Sequence, residues 1–259
     1  MDIEISGLGK TYVPRRGERI EALRDVTASI HSGEFVTVIG PSGCGKSTML
    51  DILAGLTAPS AGTARIGGRP VGDPSVRPGL VLQRPVLLPW RTALENVVLP
   101  AQVGRNPSAR NGGRRQARER GQELLDLVGL GTFGGKYPWE LSGGMQQRVA
   151  IARALLLEAH VMCMDEPFAA LDELSREQMH LEFLRIWSSR RFTVLFVTHN
   201  VFESVFLSDR VLVMTPRPGR MVADVPIDLA RPREREMIGS DSFSKNLRRV
   251  REAMRAFWE

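Results

Sequence analysis

Long apolar runs are missing from this 259-residue sequence. No stretch approaches the 18 or so hydrophobic residues that a membrane-spanning helix needs, so the chain is expected not to cross a bilayer itself. The opening MDIEISGLGK carries Asp2 and Glu4 and lacks both a basic segment and an apolar segment. It does not read as a signal peptide, and the chain is expected to stay where it is made. Cysteine is scarce: Cys44 and Cys163 are the two present, too few for a disulfide framework and consistent with a reducing compartment. Internal repeats and sustained heptads are absent, which excludes a solenoid and a coiled coil. Acidic residues are outnumbered, 29 against 35 Lys and Arg, for a net charge of +6 that suits an anionic partner such as nucleic acid or the inner membrane leaflet.

What is present reads as an α/β protein of ordinary globular composition, with 42% hydrophobic and 25% charged residues. Phe35 to Ile39 is an apolar run that stops at Gly40, as a buried strand would. Met49, Ile52, Leu53 and Leu56 then repeat at helical spacing. Further strands are predicted at Val161–Met164, Thr193–Val197 and Val211–Met214, the last ended by Pro216 and Pro218. The alternation predicts a mainly parallel sheet, with a β-rich N-terminal portion and a helical insertion near residues 84–158. Residues 104–123 hold arginines at 105, 110, 114, 115, 118 and 120 without interleaved aromatics, and read as a solvated loop entering an exposed helix. In the tail, Phe243, Leu247, Val250, Met254 and Phe257 are spaced as one helical face, read as a closing helix packed on its own domain.

Between the first strand and helix lie Gly40, Pro41, Ser42, Gly43, Cys44, Gly45, Lys46, Ser47 and Thr48, which fit G-x-x-x-x-G-K-[ST]. A glycine-rich turn lets backbone N–H groups wrap phosphate oxygens, and the helix that follows adds its partial positive charge. Lys46 is expected to reach the β- and γ-phosphates of a nucleotide, and the Ser47 hydroxyl to hold Mg²⁺. Asp165 and Glu166 end the Val161–Met164 strand, at the sheet edge where α/β proteins bind ligands. Asp165 is expected to hold Mg²⁺ and Glu166 to polarise the attacking water. His199 follows another strand and could contact the γ-phosphate; His31, His160 and His180 are assigned no role. Leu141, Ser142, Gly143, Gly144, Met145, Gln146, Gln147 and Arg148 open a helix carrying Val149, Ala152 and Leu156, offering a second N–H cradle. One cradle already serves the chain's own nucleotide, so the simplest use of the second is a nucleotide held by another molecule.

With these residues the sequence resembles the ATP-binding cassette family over nearly its whole length, LSGGMQQR matching that family's signature. The resemblance implies one P-loop NTPase domain over 1–259. It has an N-terminal antiparallel β subdomain, an inserted α-helical subdomain at about 84–158 and a C-terminal strand and helix extension at 216–259. It implies that Tyr12 stacks on adenine, that Gln83 senses Mg²⁺ and the transport subunit, and that Asp172 lies in a loop that communicates across a dimer. It also makes His199 the switch histidine. ATP and Mg²⁺ are the implied cofactors. The implied assembly is a head-to-tail homodimer at the cytoplasmic face of the cell membrane, with two permease subunits and an external binding protein.

Leu87 to Arg91 and Thr215 to Arg220 resemble the nitrate/sulfonate/taurine importer group, so the expected role is to energise uptake of a small anionic nutrient. An exporter ATPase, a soluble ATPase acting on nucleic acid and a non-catalytic subunit are the alternatives; nucleic acid is not the expected partner. Three positions depart from the group's pattern: Asn200 replaces an aspartate, Arg84 an acidic residue and Cys163 a leucine.

Overall fold

The computed structural model describes residues 1–14, 17–103 and 113–257. In chain order the strands are β1 (Ile3–Tyr12), β2 (Ile20–Ile30), β3 (Phe35–Ile39), β4 (Ala61–Ile66), β5 (Arg69–Pro70), β6 (Gly79–Val81), β7 (Val161–Asp165), β8 (Thr193–Thr198), β9 (Arg210–Met214) and β10 (Met221–Pro226). The helices are α1 (Lys46–Leu53), α2 (Ala93–Val97), α3 (Leu99–Val103), α4 (Gly113–Leu127), α5 (Gly143–Leu156), α6 (Glu173–Arg190), α7 (Val201–Leu207) and α8 (Asp241–Arg255). The chain divides into two compact units. One comprises Met1–Pro78, His160–Glu166 and Leu184–Glu259; the other comprises Gly79–Ala159 and Pro167–Phe183.

The first unit holds two sheets. One is antiparallel in the order β2-β1-β4-β5. Its central strand β1 buries Ile3 and Ile5 and then Leu8, so the inward alternation changes phase. An irregularity in the β1–β2 register between Ile5 and Leu8 accommodates the change, as a bulge does. In the other sheet, β3 is flanked by β8 and β9, both parallel to it; β7 lies parallel beside β8, and β10 closes the far side antiparallel to β9. β3, β7 and β8 are buried at every residue, which is why they read as continuous apolar runs rather than alternating ones. The fold is therefore α/β, with a mainly parallel core sheet and an antiparallel N-terminal sheet.

Trp187 anchors the core of this unit. It is fully buried, its indole N–H donates to Phe192 O at 2.8 Å, and its ring meets Phe35 edge-on at 5.7 Å. The guanidinium groups of Arg191 and Arg231 lie 4.8 and 4.4 Å from the ring centroid, and Arg231 also pairs with Asp209 at 2.9 Å. The tail packs on its own unit: Phe243 of α8 meets Phe202 of α7 at 5.0 Å, with Val250 and Met254 also buried. Leu247 is only half-buried and Phe257 is 45% exposed, beyond the helix end; Asn246 takes the inward position instead, donating to Asp228 O and Ser242 O. Leu56 likewise falls outside the predicted face, since α1 ends at Leu53 and Leu56 is 63% exposed.

The second unit is mainly helical. α5 buries Gln147, Val149, Ala150, Ile151, Ala152, Ala154 and Leu155, and packs against α2 and α4. The arginine-rich α4 turns Leu124 and Leu125 inward and leaves Arg115, Arg118 and Arg120 outside or at the margin. Arg105 and Arg110 lie outside the described residues. Among the described residues no helix is long and apolar enough to cross a membrane.

Candidate functional site

In the first unit, β3 delivers the chain into the glycine-rich loop and α1 leaves it. Gly45, at φ 108°, is the residue before α1, and a Cβ there would lie 2.7 Å from Ala22 O and from Leu23 Cδ2. The turn therefore needs glycine for both conformation and space. Ser42 and Gly43 at the loop's crest and Ser47 at the start of α1 are exposed, Pro41 and Thr48 are half-buried, and Cys44 points inward. The Lys46 ammonium is folded over the loop, donating to Gly40 O at 2.7 Å and Pro41 O at 3.0 Å. Burial pushes the Cys44 thiol up, against the opposing pull of the Lys46 charge, so it is not a thiolate in this setting.

Asp165 ends β7 and is 8% exposed. Burial raises its carboxyl above the usual 3.8, and the nearby Glu166 and Asp51 charges push the same way; the Ser47 hydroxyl, which donates to it, and Lys46 oppose them. A buried carboxylate facing a hydroxyl at a helix start, with further negative charge beside it, suits Mg²⁺. That ion uses one or two carboxylates and completes its shell with phosphate oxygens and water. Among the described residues, no group of three or more His, Cys, Asp or Glu forms a metal cage by itself.

Glu166 takes a left-handed backbone, φ 44°, and its N–H donates to Val197 O at 2.9 Å. The turn aims its carboxylate at His199, whose Nδ1 lies 2.9 Å from Glu166 Oε1. A carboxylate only accepts, so Nδ1 carries the proton in this pair. Three further side chains hold the loop that carries the histidine. Thr198 Oγ1 donates to the buried Glu203 carboxylate at 2.6 Å and accepts from Asn200 N at 3.0 Å. Asn200 Oδ1 then caps α7, accepting from Phe202 N at 2.9 Å and Glu203 N at 3.3 Å. Asparagine caps a helix as well as aspartate does, so the departure at 200 keeps the local geometry. Tyr12 ends β1, with its hydroxyl 3.4 Å from Thr48 Oγ1 and the Lys10 ammonium 5.1 Å from its ring centroid. The first unit thus brings together Tyr12, Gly40 to Thr48, Asp165, Glu166 and His199.

Gln83, Leu141 to Gln146 and Asp172 lie in the second unit. Ser142 caps α5, its Oγ accepting from Met145 N at 3.2 Å, and Gly143 beside it is exposed. A Cβ on Gly144 would lie 3.0 Å from Leu171 Cδ2 and 3.4 Å from Ala170 O, so this glycine lets the helix start pack against the Ala170–Asp172 loop. Asp172 in turn accepts from Ser175 N at 2.9 Å. The Ser175 backbone and hydroxyl bonds and the Arg148 charge hold its carboxyl below the usual 3.8. Gln83 and Arg84, just after β6, are both exposed.

The sequence reading missed Asn96. It is fully buried in α2; its Oδ1 accepts from Leu88 N at 2.8 Å, and its amide donates to Leu88 O, Arg91 O and Thr92 O at 3.0 to 3.1 Å. One side chain thereby shapes the Leu87–Arg91 loop, in which Leu87 and Leu88 are half-buried and Trp90 is 69% exposed. The signal available was a lone amide between Leu94 and Val97 in an otherwise apolar face. Cys163 carries no chemistry: it is fully buried, and its thiol is pushed up to about 12.

The family model described as ABC transporter matches residues 23–169. The chain belongs to the ABC transporter family. This ABC chain is 42% identical over 242 residues to the nitrate import ATP-binding protein NrtD of Synechococcus elongatus, covering 93% of itself and 86% of that protein. It is 44% identical over 220 residues to the taurine import ATP-binding protein TauB of Rhizobium johnstonii, covering 85% of itself and 82% of that protein. Among solved structures, the ATP-binding cassette MJ0796, in a dimeric post-hydrolysis state with ADP and Pi, superposes with a TM-score of 0.79. That match has 33% identity over 88% of this chain and 100% of the other. The fold is that of an ABC ATPase, and the chain binds ATP and hydrolyses it.

Proposed function

We propose that this ATPase powers a membrane importer for a small anionic nutrient. In this reading it works as a head-to-tail dimer on the cytoplasmic face of two permease subunits fed by an external binding protein. Similarity to the nitrate and taurine import ATP-binding proteins supports the importer class, and the nitrate relative supports the anionic cargo. The reading takes the chain as one domain with a helical subdomain inserted at about 84–158.

The observation that carries the mechanism is the hydrogen-bonded pair of Glu166 and His199 at 2.9 Å, at the same sheet edge as the phosphate loop. Lys46 and the loop N–H groups hold the β- and γ-phosphates, and Tyr12 stacks on the adenine. Ser47 and Asp165 would hold Mg²⁺; when bound, the ion neutralises charge on the phosphate oxygens. Glu166 accepts a proton from the attacking water, and His199 holds that carboxylate in place and reaches the γ-phosphate. Ser142 and Gly144 of each chain, with Leu141, Gly143, Met145 and Gln146 around them, close over the nucleotide of the partner chain, and Asp172 lies at the same seam. The dimeric state of the solved relative supports this arrangement.

The test is ATP turnover and assembly state of the full chain with and without Glu166→Gln. Removing the general base is expected to lower kcat by roughly 10²–10⁴-fold. ATP affinity should be retained, and Mg-ATP should convert the variant from monomer to a persistent dimer in sedimentation. Wild-type turnover in Glu166→Gln would remove Glu166 from the mechanism.

A further inference from the structure

Beside the second cradle stands an aromatic plate that the mechanism above leaves unused. Tyr137 and Trp139 stack with ring centroids 4.6 Å apart and planes 3° from parallel, and Trp139 remains 67% exposed. Scattered surface aromatics need no explanation. This pair differs because hydrogen bonds fix its place. Gln146 Nε2 donates to Pro138 O at 2.9 Å and to Leu141 O at 3.2 Å, tying the turn that carries Trp139 to the first turn of α5. Within that turn, Tyr137 N donates to Glu140 Oε2 at 2.8 Å, Glu140 N donates to Tyr137 O at 2.9 Å, and Lys136 pairs with Glu140 at 2.9 Å. Plate and cradle therefore move as one piece.

The spacing of the two parts matches one ligand chemistry. Trp139 precedes Ser142 by three residues, at most about 10 Å of chain. A nucleoside triphosphate presents a charged end and, a comparable distance away, one flat apolar ring. The N–H groups at the start of α5 suit the charged end. An indole with one face covered by tyrosine and the other exposed suits the ring.

We propose that Trp139 stacks on the purine base of the nucleotide held in the partner copy's phosphate loop, a base contact supplied across the dimer. The assignment rests on the head-to-tail reading of Ser142 and Gly144, and it makes Trp139 a nucleotide-binding residue of the composite site. Tyr12, on the nucleotide's own chain, takes the opposite face of the base.

The experiment follows dimerisation of the full-length Glu166→Gln chain by sedimentation as Mg-ATP is raised. It is repeated with Trp139→Ala and Trp139→Phe added. Loss of a stacked base by alanine substitution should raise the ATP concentration for half-dimerisation roughly ten-fold. Phenylalanine should restore most of it, and ADP binding to the monomer should be the same in all three. Intrinsic fluorescence should fall on ATP-driven assembly of the parent, and that change should be missing in Trp139→Phe. A parent that dimerises while Trp139→Ala dimerises at the same ATP concentration overturns this assignment alone. A parent that stays monomeric at saturating Mg-ATP overturns the head-to-tail reading and the assignment with it.

Discussion

Asp165 and Glu166 are neighbours in sequence that meet different surroundings. Asp165 finishes a buried strand and faces Ser47, while the left-handed backbone at Glu166 swings its carboxylate out to His199. A non-glycine residue in that conformation costs about 1–2 kcal/mol, which the N–H bond to Val197 O and the histidine contact offset. A carboxyl raised above its unfolded 3.8 stabilises the fold most below that pH, and the contribution is lost as pH rises through the raised value. Asp165→Asn is therefore expected to melt higher than the wild type at neutral pH in the absence of nucleotide, by roughly a few degrees. The advantage should vanish near pH 4 and below, and Mg²⁺-dependent turnover should fall to background. Thermal melts across pH check the first part; a variant that melts lower at neutral pH would contradict it. The candidate residues could be named from sequence because each is required by type: glycine where a Cβ would collide, lysine at the helix start after the loop, carboxylate at a strand's end. The roles of Asn200 and Glu203 were not legible. A cap and a buried acceptor are defined by which backbone N–H or hydroxyl faces them, and that is a property of the folded loop.

At the scale of elements, α2 and α5 each begin with a capped turn and each organise a loop. Thr92 and Glu95 close a reciprocal capping box at the start of α2, and Asn96 next to them carries the Leu87–Arg91 loop. Asn96→Ala would remove the side-chain partner of Leu88 N and of Arg91 O, while Leu88 O and Thr92 O keep their backbone donors. It is expected to cost about 1–3 kcal/mol, read as a lower denaturant midpoint with an unchanged slope. Turnover by the remaining folded protein should persist, because Asn96 touches none of the residues assigned to ATP. The four strands placed from sequence, β3, β7, β8 and β9, were read to within a residue, since runs buried on both faces leave an unbroken apolar stretch; the others were not placed individually. Helix ends were read less well. Leu56 and Phe257 kept the helical spacing but fell past the point where the backbone leaves the helix, and Asn246 took an inward position because its amide finds Asp228 O and Ser242 O. Periodicity reports which way a side chain points only while the helix lasts.

For the whole molecule, the proposed division of ligands between two chains makes a prediction that no single-chain mechanism shares. Lys46→Ala and Ser142→Arg should each abolish turnover alone. Mixed in equal amounts, they should regain activity, because the hybrid dimer pairs one intact phosphate loop with one intact signature. If half the dimers are hybrids with one good site of two, recovery should reach about a quarter of wild type; no recovery would place both cradles on one nucleotide.

The pairing of β3 has another consequence, for how the chain is made. Phe35 pairs with Val194 and Thr37 with Val211, so the central strand's two neighbours lie more than 150 residues further along the chain. At ribosomal speeds of about 5–20 residues per second, β3 emerges and then waits roughly 8–30 s for either edge to be covered. During that interval Phe35 to Ile39 is a bare apolar strand with both hydrogen-bonding edges open, so a ribosome stalled before β8 presents a template for aggregation, and nascent chains of that length should be the ones that bind chaperones.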